Sequence, residues 1–221
     1  MYRSANGAAR PLTARQAERR RAILASARAL VAEHGYDAVS MRAIAAASGA
    51  AEKTLFNIFG SKDRLLAAAA FERSASVFDL AEARGAPGWP RLLALCAAVA
   101  EVTLAAPAMA RALAVPLIDH IEMVGLDRLY DAHVGAALGA MVAEGFLAPA
   151  TPVPLVAHLV QLAVVSGVVF WAKGELEDDE CAPFLRLRLA ETLLPHATGG
   201  LAAVRAEHGA ALALLGRRVG T

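Results

Sequence analysis

The sequence predicts an all-α protein, and composition, periodicity and the placement of helix-breaking residues carry this prediction. Hydrophobic residues make up 57% of the 221 residues, but aromatic residues make up only 5%. Ala and Leu dominate, and both favour helices, whereas strands favour β-branched and aromatic side chains. Apolar residues recur every three to four positions, which is the period of an amphipathic helix. A chain of this length can bury a sufficient core without disulfide bonds.

The N-terminal part of the chain predicts four helices in close succession. They cover about residues 13–34, 40–47 and 51–59, and a long fourth helix begins at about residue 61. Ser40 and Ser61 are suitable N-caps because their hydroxyls can accept a hydrogen bond from a backbone N–H of the first turn. Gly35 and Gly49 supply the stops between the helices.

Proline and glycine divide the remainder into further helices. Breaks fall at residues 85–88, at Pro107 and Pro116, and at 149–154. The pattern then predicts an apolar helix over 155–173, an acidic loop over 175–180, a helix over 184–196 and a last helix over 201–216. The apolar helix is at the short end for spanning a bilayer and contains polar side chains, so we expect no membrane association.

The charge distribution separates the two ends of the chain. Residues 1–66 hold 11 Lys and Arg against 5 Asp and Glu, a net charge of +6, while residues 67–221 carry a net charge of −5. This asymmetry indicates that the N-terminal part meets a polyanion and the remainder does not. A solvated basic helix would give the same local charge, so charge alone does not decide between these interpretations.

Residues 40–59 have the pattern of a helix-turn-helix. Two short helices that cross steeply need a tight turn, which Gly49 supplies, and a small residue at their contact, which Ala45 supplies. Inward positions are predicted for Ile44, Ala50, Leu55, Ile58 and Phe59. The outer face of the second helix is predicted to carry Glu52, Lys53, Phe56 and Asn57.

This segment resembles the N-terminal domain of the tetracycline-repressor (TetR) family over about residues 15–66. The resemblance rests on Gly35-Tyr36, Ser40, Ile44-Ala45, Gly49, Thr54-Leu55-Phe56, Phe59 and Ser61-Lys62. Ala50-Ala51, Lys53 and Asn57 depart from the common family pattern and leave the expected fold unchanged. The resemblance implies a DNA-binding domain at 13–66 and a helical ligand-binding and dimerisation domain at 67–221.

Eight residues are candidates for contact with double-stranded operator DNA. Lys53 can donate hydrogen bonds to guanine, and the side-chain amide of Asn57 can form two hydrogen bonds with adenine. Each of the two side chains could instead contact phosphate. Glu52 could accept from cytosine or be solvated. Lys62 adds its charge to the N-terminus of the fourth helix, so we expect it to bind phosphate. The full set is Ser40, Arg42, Glu52, Lys53, Thr54, Phe56, Asn57 and Lys62.

The larger domain is expected to hold a small-molecule effector and to pair two subunits. Polar or adaptable side chains among Leu, Val and Ala are typical of apolar ligand sites, and also of ordinary packing. The candidate pocket residues are Trp89, Met109, His120, Met123, Tyr130, His133, His158 and Gln161. The helices at 155–173 and 184–196 are predicted to form the homodimer through Leu159, Ala163, Gly167, Phe170, Leu185, Leu189 and Leu193.

Other chemistry finds little support in the sequence. The stretch from Asp119 to His133 matches no strong metal signature, and no nucleophile or phosphate-loop motif is found, so we expect no enzyme, metal or cofactor. Cys96 and Cys181 are predicted to be packing residues in a reducing cytoplasm. We therefore expect a cytoplasmic repressor that a ligand releases from a palindromic operator. A helical ligand-binding or interaction module without specific DNA binding remains the alternative.

Overall fold

The computed structural model describes residues 13–119 and 124–216, and for residues 115–119 it describes the backbone alone. Over these residues the chain is helical and contains no strand, which confirms the all-α prediction. The helices are α1 (Ala14–His34), α2 (Met41–Ser48), α3 (Glu52–Phe59), α4 (Lys62–Arg84), α5 (Trp89–Ala105), α6 (Pro107–Asp119), α7 (Leu126–Leu129), α8 (Gly135–Ala143), α9 (Val153–Ala172), α10 (Asp178–Leu193) and α11 (Leu201–Leu215). A π-helical turn, Tyr130–Val134, joins α7 to α8, and a 3₁₀ turn, Leu194–His196, follows α10.

Local capping explains why the first helices begin where they do. Thr13 accepts a hydrogen bond from the backbone N–H of Gln16, and the Gln16 side chain accepts one from the Thr13 backbone, which completes a capping box. Ser40 and Ser61 accept from the N–H three residues later, both at 3.2 Å. Each of these caps satisfies a backbone donor that the helix itself leaves free.

Two predicted boundaries were wrong. The backbone of α6 continues through Pro116, where the sequence predicted a break. The acidic residues 178–180 are not a loop: they form the first turn of α10, where their charge complements the positive end of the helix dipole. Cys181 anchors this turn in the core, and α10 accepts Pro183 at the cost of one backbone hydrogen bond.

Two main hydrophobic cores and a small cluster of Ala67, Ala70 and Val124 lie along the described chain, and helices α4 and α6 reach both main cores. The N-terminal core contains side chains of α1, α2 and α3, and the larger core contains side chains of α5, α8, α9 and α10. Helix α4 contributes Leu65 and Leu66 to the first core and Val77 and Phe78 to the second. Met109 of α6 is buried in the N-terminal core. The helix-turn-helix segment is therefore packed directly on the helices of the larger domain.

Helix α9 is long and strongly apolar. By length and composition it could cross a membrane, as could a sharply bent combination of α5 with part of α6. Core helices of globular proteins pass the same test, and one face of α9 is buried against α5, α6, α8 and α10. Trp171, fully buried near its end, donates from Nε1 to Asp178 Oδ1 at 2.8 Å.

Candidate nucleic-acid interface and adjoining cavity

The turn between α2 and α3 is fixed by backbone conformation and by hydrogen bonds. Gly49 ends α2 with φ 63° and ψ 24°, the left-handed conformation that glycine adopts without steric cost. The backbone N–H of Ala50 donates to the carbonyl of Ala45 at 3.0 Å. The Ser48 hydroxyl donates to the Ile44 carbonyl at 2.7 Å. These contacts hold the two short helices in one relative orientation, as the sequence predicted for Gly49.

Helix α3 buries a narrower stripe than the sequence predicted. Leu55 is fully buried and Phe59 nearly so, with the Arg20 guanidinium 4.8 Å above the Phe59 ring. The inward placement of Ile58 was wrong, because 45% of this residue is exposed. A two-turn helix that packs against α2 and α4 covers the Leu55–Phe59 line and leaves its flank open.

The outer face of α3 presents side chains without protein partners. Glu52, Lys53 and Asn57 are exposed, and within residues 13–119 and 124–216 none of them has a side-chain hydrogen bond or ion pair. Phe56 is 47% exposed beside them. Arg42 is exposed on α2, and Thr54 is half-buried. The Ser40 hydroxyl accepts from the backbone N–H of Ala43, which leaves its own proton available to a phosphate oxygen.

Lys62 lies at the start of α4 and is held against the bend that follows α1. Its Nζ donates to the carbonyl of Tyr36 at 3.2 Å and lies 4.8 Å above the Tyr36 ring. The Tyr36 hydroxyl donates to Asp63 Oδ1 at 2.8 Å, and burial together with this carboxylate raises the pKa of Tyr36. An ammonium group has three donors, so Lys62 retains donors for a phosphate oxygen.

A cavity of about 170 Å³ opens among α4, α5, α6, the α7 region and α9. Its described wall is mostly aliphatic, and its largest group is seven valines: Val77, Val99, Val102, Val164, Val165, Val168 and Val169. Four lining residues are polar: Arg73, Ser74, Thr103 and Tyr130. Burial, and to a smaller extent the positive charge of Arg28, lowers the pKa of Arg73. Burial raises the pKa of Tyr130.

The predicted pocket residues divide between this cavity and other places. Met109 and Tyr130 line the cavity. His120 and Met123 lie outside the described residues. The other four are not among the residues of the cavity wall. Trp89 stacks on Phe146, and His133 forms a hydrogen bond with Glu82 at 2.8 Å. His158 is exposed, whereas Gln161 is buried.

Sequence reasoning missed the Arg73, Ser74 and Thr103 lining residues. A signal for Arg73 was present, since Ala70, Arg73 and Val77 follow one another at helical spacing and place a cation on an otherwise apolar face.

The predicted dimer residues also fall into two groups. Leu159 and Phe170 are exposed, but Ala163, Gly167, Leu185, Leu189 and Leu193 are buried within the chain. A Cβ added at Gly167 would lie 2.6 Å from Leu185 Cδ2 and 3.2 Å from Phe184 Cδ1. The close approach at Gly167 joins α9 to α10 within one chain, and Leu185, Leu189 and Leu193 are buried in that chain. The part that these residues take in a subunit contact stays a prediction. The exposed large apolar side chains of α9 are Leu155, Leu159, Leu162 and Phe170, named here the outer stripe.

Both cysteines are buried among apolar side chains. Burial raises the pKa of Cys96 to about 12 and that of Cys181 to about 11. Neither thiol therefore ionises near neutral pH, and a reactive thiolate is not available at either position. The described parts of the chain contain no group of His, Cys, Asp and Glu that could hold a metal ion.

Comparisons with known proteins agree with this geometry. The model of the family described as bacterial regulatory proteins, tetR family, matches residues 23–69, which run from α1 into α4. No curated protein matches the chain.

Several solved structures share the fold. FadR of Thermus thermophilus, a TetR-family transcriptional repressor solved with lauroyl-CoA, is 19% identical; the match covers 79% of this chain and 93% of FadR, with a TM-score of 0.63. SmeT, the repressor of the Stenotrophomonas maltophilia multidrug efflux pump SmeDEF, is 20% identical over 82% of this chain and 92% of SmeT, with a TM-score of 0.60. A TetR-family transcription regulator from Marinobacter aquaeolei is 22% identical over 81% of this chain and 97% of its own, with a TM-score of 0.56.

Proposed function

We propose that this chain is a regulator of the tetR family, whose model matches residues 23–69, and that it acts as a cytoplasmic repressor which a small molecule releases from a palindromic operator. Residues 13–66 are the DNA-binding domain in this proposal, and residues 67–221 bind the effector and pair two subunits. The observation that carries the proposal is the outer face of α3, where Lys53 and Asn57 are exposed and have no side-chain partner among residues 13–119 and 124–216.

The geometry of α3 suits the major groove of B-DNA. The groove admits one α-helix, and only side chains on the outer face of that helix reach base edges. Lys53 and Asn57 supply the donors and acceptors that guanine and adenine present there. Ser40, Arg42, Thr54 and Lys62 surround α3 with groups that suit phosphate, which fixes the register of the helix on the duplex.

The outer stripe of α9 supports pairing of two subunits. Its four large apolar side chains lie on one side of the helix and are between 41% and 56% exposed. A contiguous exposed apolar surface of this kind marks an interaction site, and a two-fold axis is the commonest way to cover it with the same surface of a second copy. Two-fold pairing also presents two α3 helices to two half-sites of a palindrome.

Release by a ligand is supported by two residues of α6 that belong both to the cavity wall and to the N-terminal core. Met109 and Leu113 of α6 line the cavity and are also buried in the N-terminal core. Arg28 of α1 donates to Glu72 of α4 at 2.9 Å, one residue before the cavity residue Arg73. A ligand that moves α4 or α6 therefore changes the position of the helix-turn-helix, and operator DNA must in turn weaken binding of that ligand by the same factor.

Selection of bound duplexes from a randomised DNA pool tests this function with the full chain. We expect an inverted repeat whose half-sites are about one helical turn, or roughly 34–36 Å, or somewhat more apart. Asn57→Ala and Lys53→Ala should each relax base preference at one position of each half-site by about 5- to 150-fold, the value of one good base contact.

Lys173→Ala is the matched control, since this lysine is exposed beyond the end of α9 and far along the chain from α3. It should leave the selected sequence unchanged. Recovery of no preferred sequence at low and at moderate salt would contradict the proposal and favour the helical ligand-binding or interaction module. Selection of a single, asymmetric half-site would contradict the two-fold arrangement, but it would still agree with recognition of DNA by α3.

A further inference from the structure

We infer that the cavity is a carboxylate site: it binds a small amphipathic carboxylate whose head group is recognised by Arg73 and by the surrounding hydroxyls, and whose apolar body lies against the valines. This inference deepens the proposed function, since it names the chemical class of the effector. It rests on an arginine and three hydroxyls for which the described residues supply no acidic partner and no side-chain hydrogen bond, respectively, and on the size of the apolar space.

Arg73 carries a positive charge that no described carboxylate neutralises. Its guanidinium lines the cavity and donates to the backbone carbonyl of Val102, and within the described chain it forms no ion pair. The nearest acidic side chain along α4, Glu72, is already paired with Arg28 at 2.9 Å. Arg28 repels rather than compensates Arg73, and it contributes to the lowered pKa of that group. A half-buried charge in such a place is stabilised by an incoming anion.

Three hydroxyl groups on the same wall are also available. Thr103 and Tyr130 are 6% and 4% exposed, and Ser74 is half-buried. In the described parts of the chain no side-chain hydrogen bond involves any of the three, although each faces the cavity. These hydroxyls therefore border the cavity and can bond a ligand that enters it.

The sign of the ligand charge follows from this set of groups. A guanidinium can only donate hydrogen bonds, and each hydroxyl can donate one. No Asp, Glu or His lies among the described lining residues. The wall therefore offers donors together with a positive charge, which matches an acceptor-rich anion and disfavours an amine. Arg binds a carboxylate through two parallel N–H donors, which also fixes the orientation of the head group.

The volume and the lining set the size of the apolar body. A cavity of about 150 Å³ lined by aliphatic and aromatic side chains holds one benzene molecule. The 170 Å³ of this cavity therefore accommodates an apolar body of about six to eight carbon atoms by the same scale. Octanoate, hexanoate and benzoate are suitable probes, because they share the carboxylate and differ in the shape of the body.

Tyr130 is also the first residue of the π-helical turn Tyr130–Val134. Such turns are uncommon and are frequent at functional sites, since they displace one side chain from the regular helical register. Its ring meets Phe78 of α4 edge to face, with centroids 5.1 Å apart, and both residues line the cavity. The π-helical turn therefore begins at a residue of the cavity wall, where the contact with Phe78 holds the Tyr130 ring.

Isothermal titration of the full chain with octanoate, hexanoate and benzoate tests the assignment, and octanamide is the neutral comparison. We expect octanoate to bind at least about tenfold more tightly than octanamide, the factor that one hydrogen bond to a charged group supplies. Arg73→Met should remove this preference, Arg73→Lys should retain part of it, and Tyr130→Phe should weaken octanoate several-fold. Arg205→Met, at an exposed arginine of α11, is the matched control and should bind as the wild type does.

The outcomes separate this inference from the proposed function. Equal binding of octanoate and octanamide, or no binding of any of the three carboxylates at about 1 mM, overturns the carboxylate site even if DNA selection succeeds. Tighter binding of octanoate than of benzoate indicates that the apolar part of the ligand is aliphatic. Tighter binding of benzoate indicates that it is aromatic. Carboxylate binding that depends on Arg73 but coexists with no sequence-specific DNA binding supports the site and refutes the repressor. Circular dichroism of each variant shows that a loss of binding does not arise from unfolding.

Discussion

The two faces of α9 are both apolar, but their side chains differ in size and we propose different functions for them. The inner face lines the cavity with Val164, Val165, Val168 and Val169, whose short side chains leave space that the neighbouring helices do not fill. The outer stripe carries Leu and Phe, whose longer side chains project from the surface. Hydrophobicity alone does not distinguish a ligand site from an association surface: the size of the side chains and the direction they face decide.

Placing both surfaces on one helix has a mechanical consequence. In the proposed arrangement, a ligand in the cavity contacts α9 from inside, and a second subunit covers the same helix from outside. A rotation or shift of α9 therefore changes the ligand site and the pairing surface together, as coupling between two sites requires. Variants that alter one face and leave the other intact test this comparison.

The largest effect is expected from charge on the outer stripe. Leu159→Glu combined with Leu162→Glu places two like charges in a contact between identical surfaces, where burying unpaired carboxylates is costly. We expect the dimer dissociation constant to rise by about a hundredfold or more, equivalent to a penalty of about 2.7 kcal/mol. Light scattering after size-exclusion chromatography measures this, and the melting curve should still show a cooperative helical protein because both residues are exposed.

The matched control lies on α11. Leu212 and Leu214 are 46% and 44% exposed, similar to the outer stripe, and lie on a different helix. Leu212→Glu combined with Leu214→Glu should leave the assembly intact. If this pair separates the subunits and the α9 pair does not, the pairing surface is on α11 and the comparison of the two faces of α9 fails.

A smaller effect is expected where α9 approaches α10. Gly167→Ala gains helix propensity, but its Cβ would lie 2.6 Å from Leu185, a fully buried side chain. Overpacking of this kind costs about 1–3 kcal/mol, so we expect a net loss of stability in urea unfolding. Gly139→Ala in α8 meets nothing within 4 Å and should gain about 0.5–1 kcal/mol.

The two alanine variants also test whether the contact of Gly167 with α10 lies within one chain or between subunits. Because Gly167 packs inside one chain, its loss of stability should be the same at low and high protein concentration. If Gly167→Ala weakens dimerisation but leaves the stability of each subunit unchanged, Gly167 lies in a contact between subunits. Equal stability of the two alanine variants would show that the space around Gly167 adapts without strain.

The helix-turn-helix was predictable because its determinants are local. Ser40 and Gly49 act on the backbone within a few residues, so their roles can be read directly from the sequence. Ile58 was misplaced because helical spacing defines a face but not its width, which depends on how much of α3 its neighbours cover. The start of α10 was also misplaced. The sequence predicted a helix only after Pro183, but the helix begins at Asp178 and contains Pro183.

The cavity and the pairing surface were less predictable because they arise from distant segments. Arg73, Thr103 and Tyr130 come together only when α4, α5 and the π-helical turn are packed against one another. The small residue Gly167 correctly indicated a close helix approach, but periodicity does not state whether the approaching helix belongs to the same chain. Apolar residues on both sides of α9 indicated more surface than one core could cover, and the exposed outer stripe is consistent with that reasoning.

The smallest effect is expected at the cavity wall. Val168 is half-buried and borders empty space, so Val168→Ala removes methyl groups that already lack some neighbours, and we expect a loss below about 1 kcal/mol. Val160 lies on the same helix, is 1% exposed and is absent from the described cavity wall, so Val160→Ala should cost about 2 kcal/mol because it opens a new void. Titration should also show decanoate gaining on octanoate in Val168→Ala but not in Val160→Ala, since only the first change enlarges the ligand space. Equal stability losses in the two variants would mean that the inner face of α9 is an ordinary core, and its difference from the outer stripe would then be one of burial alone.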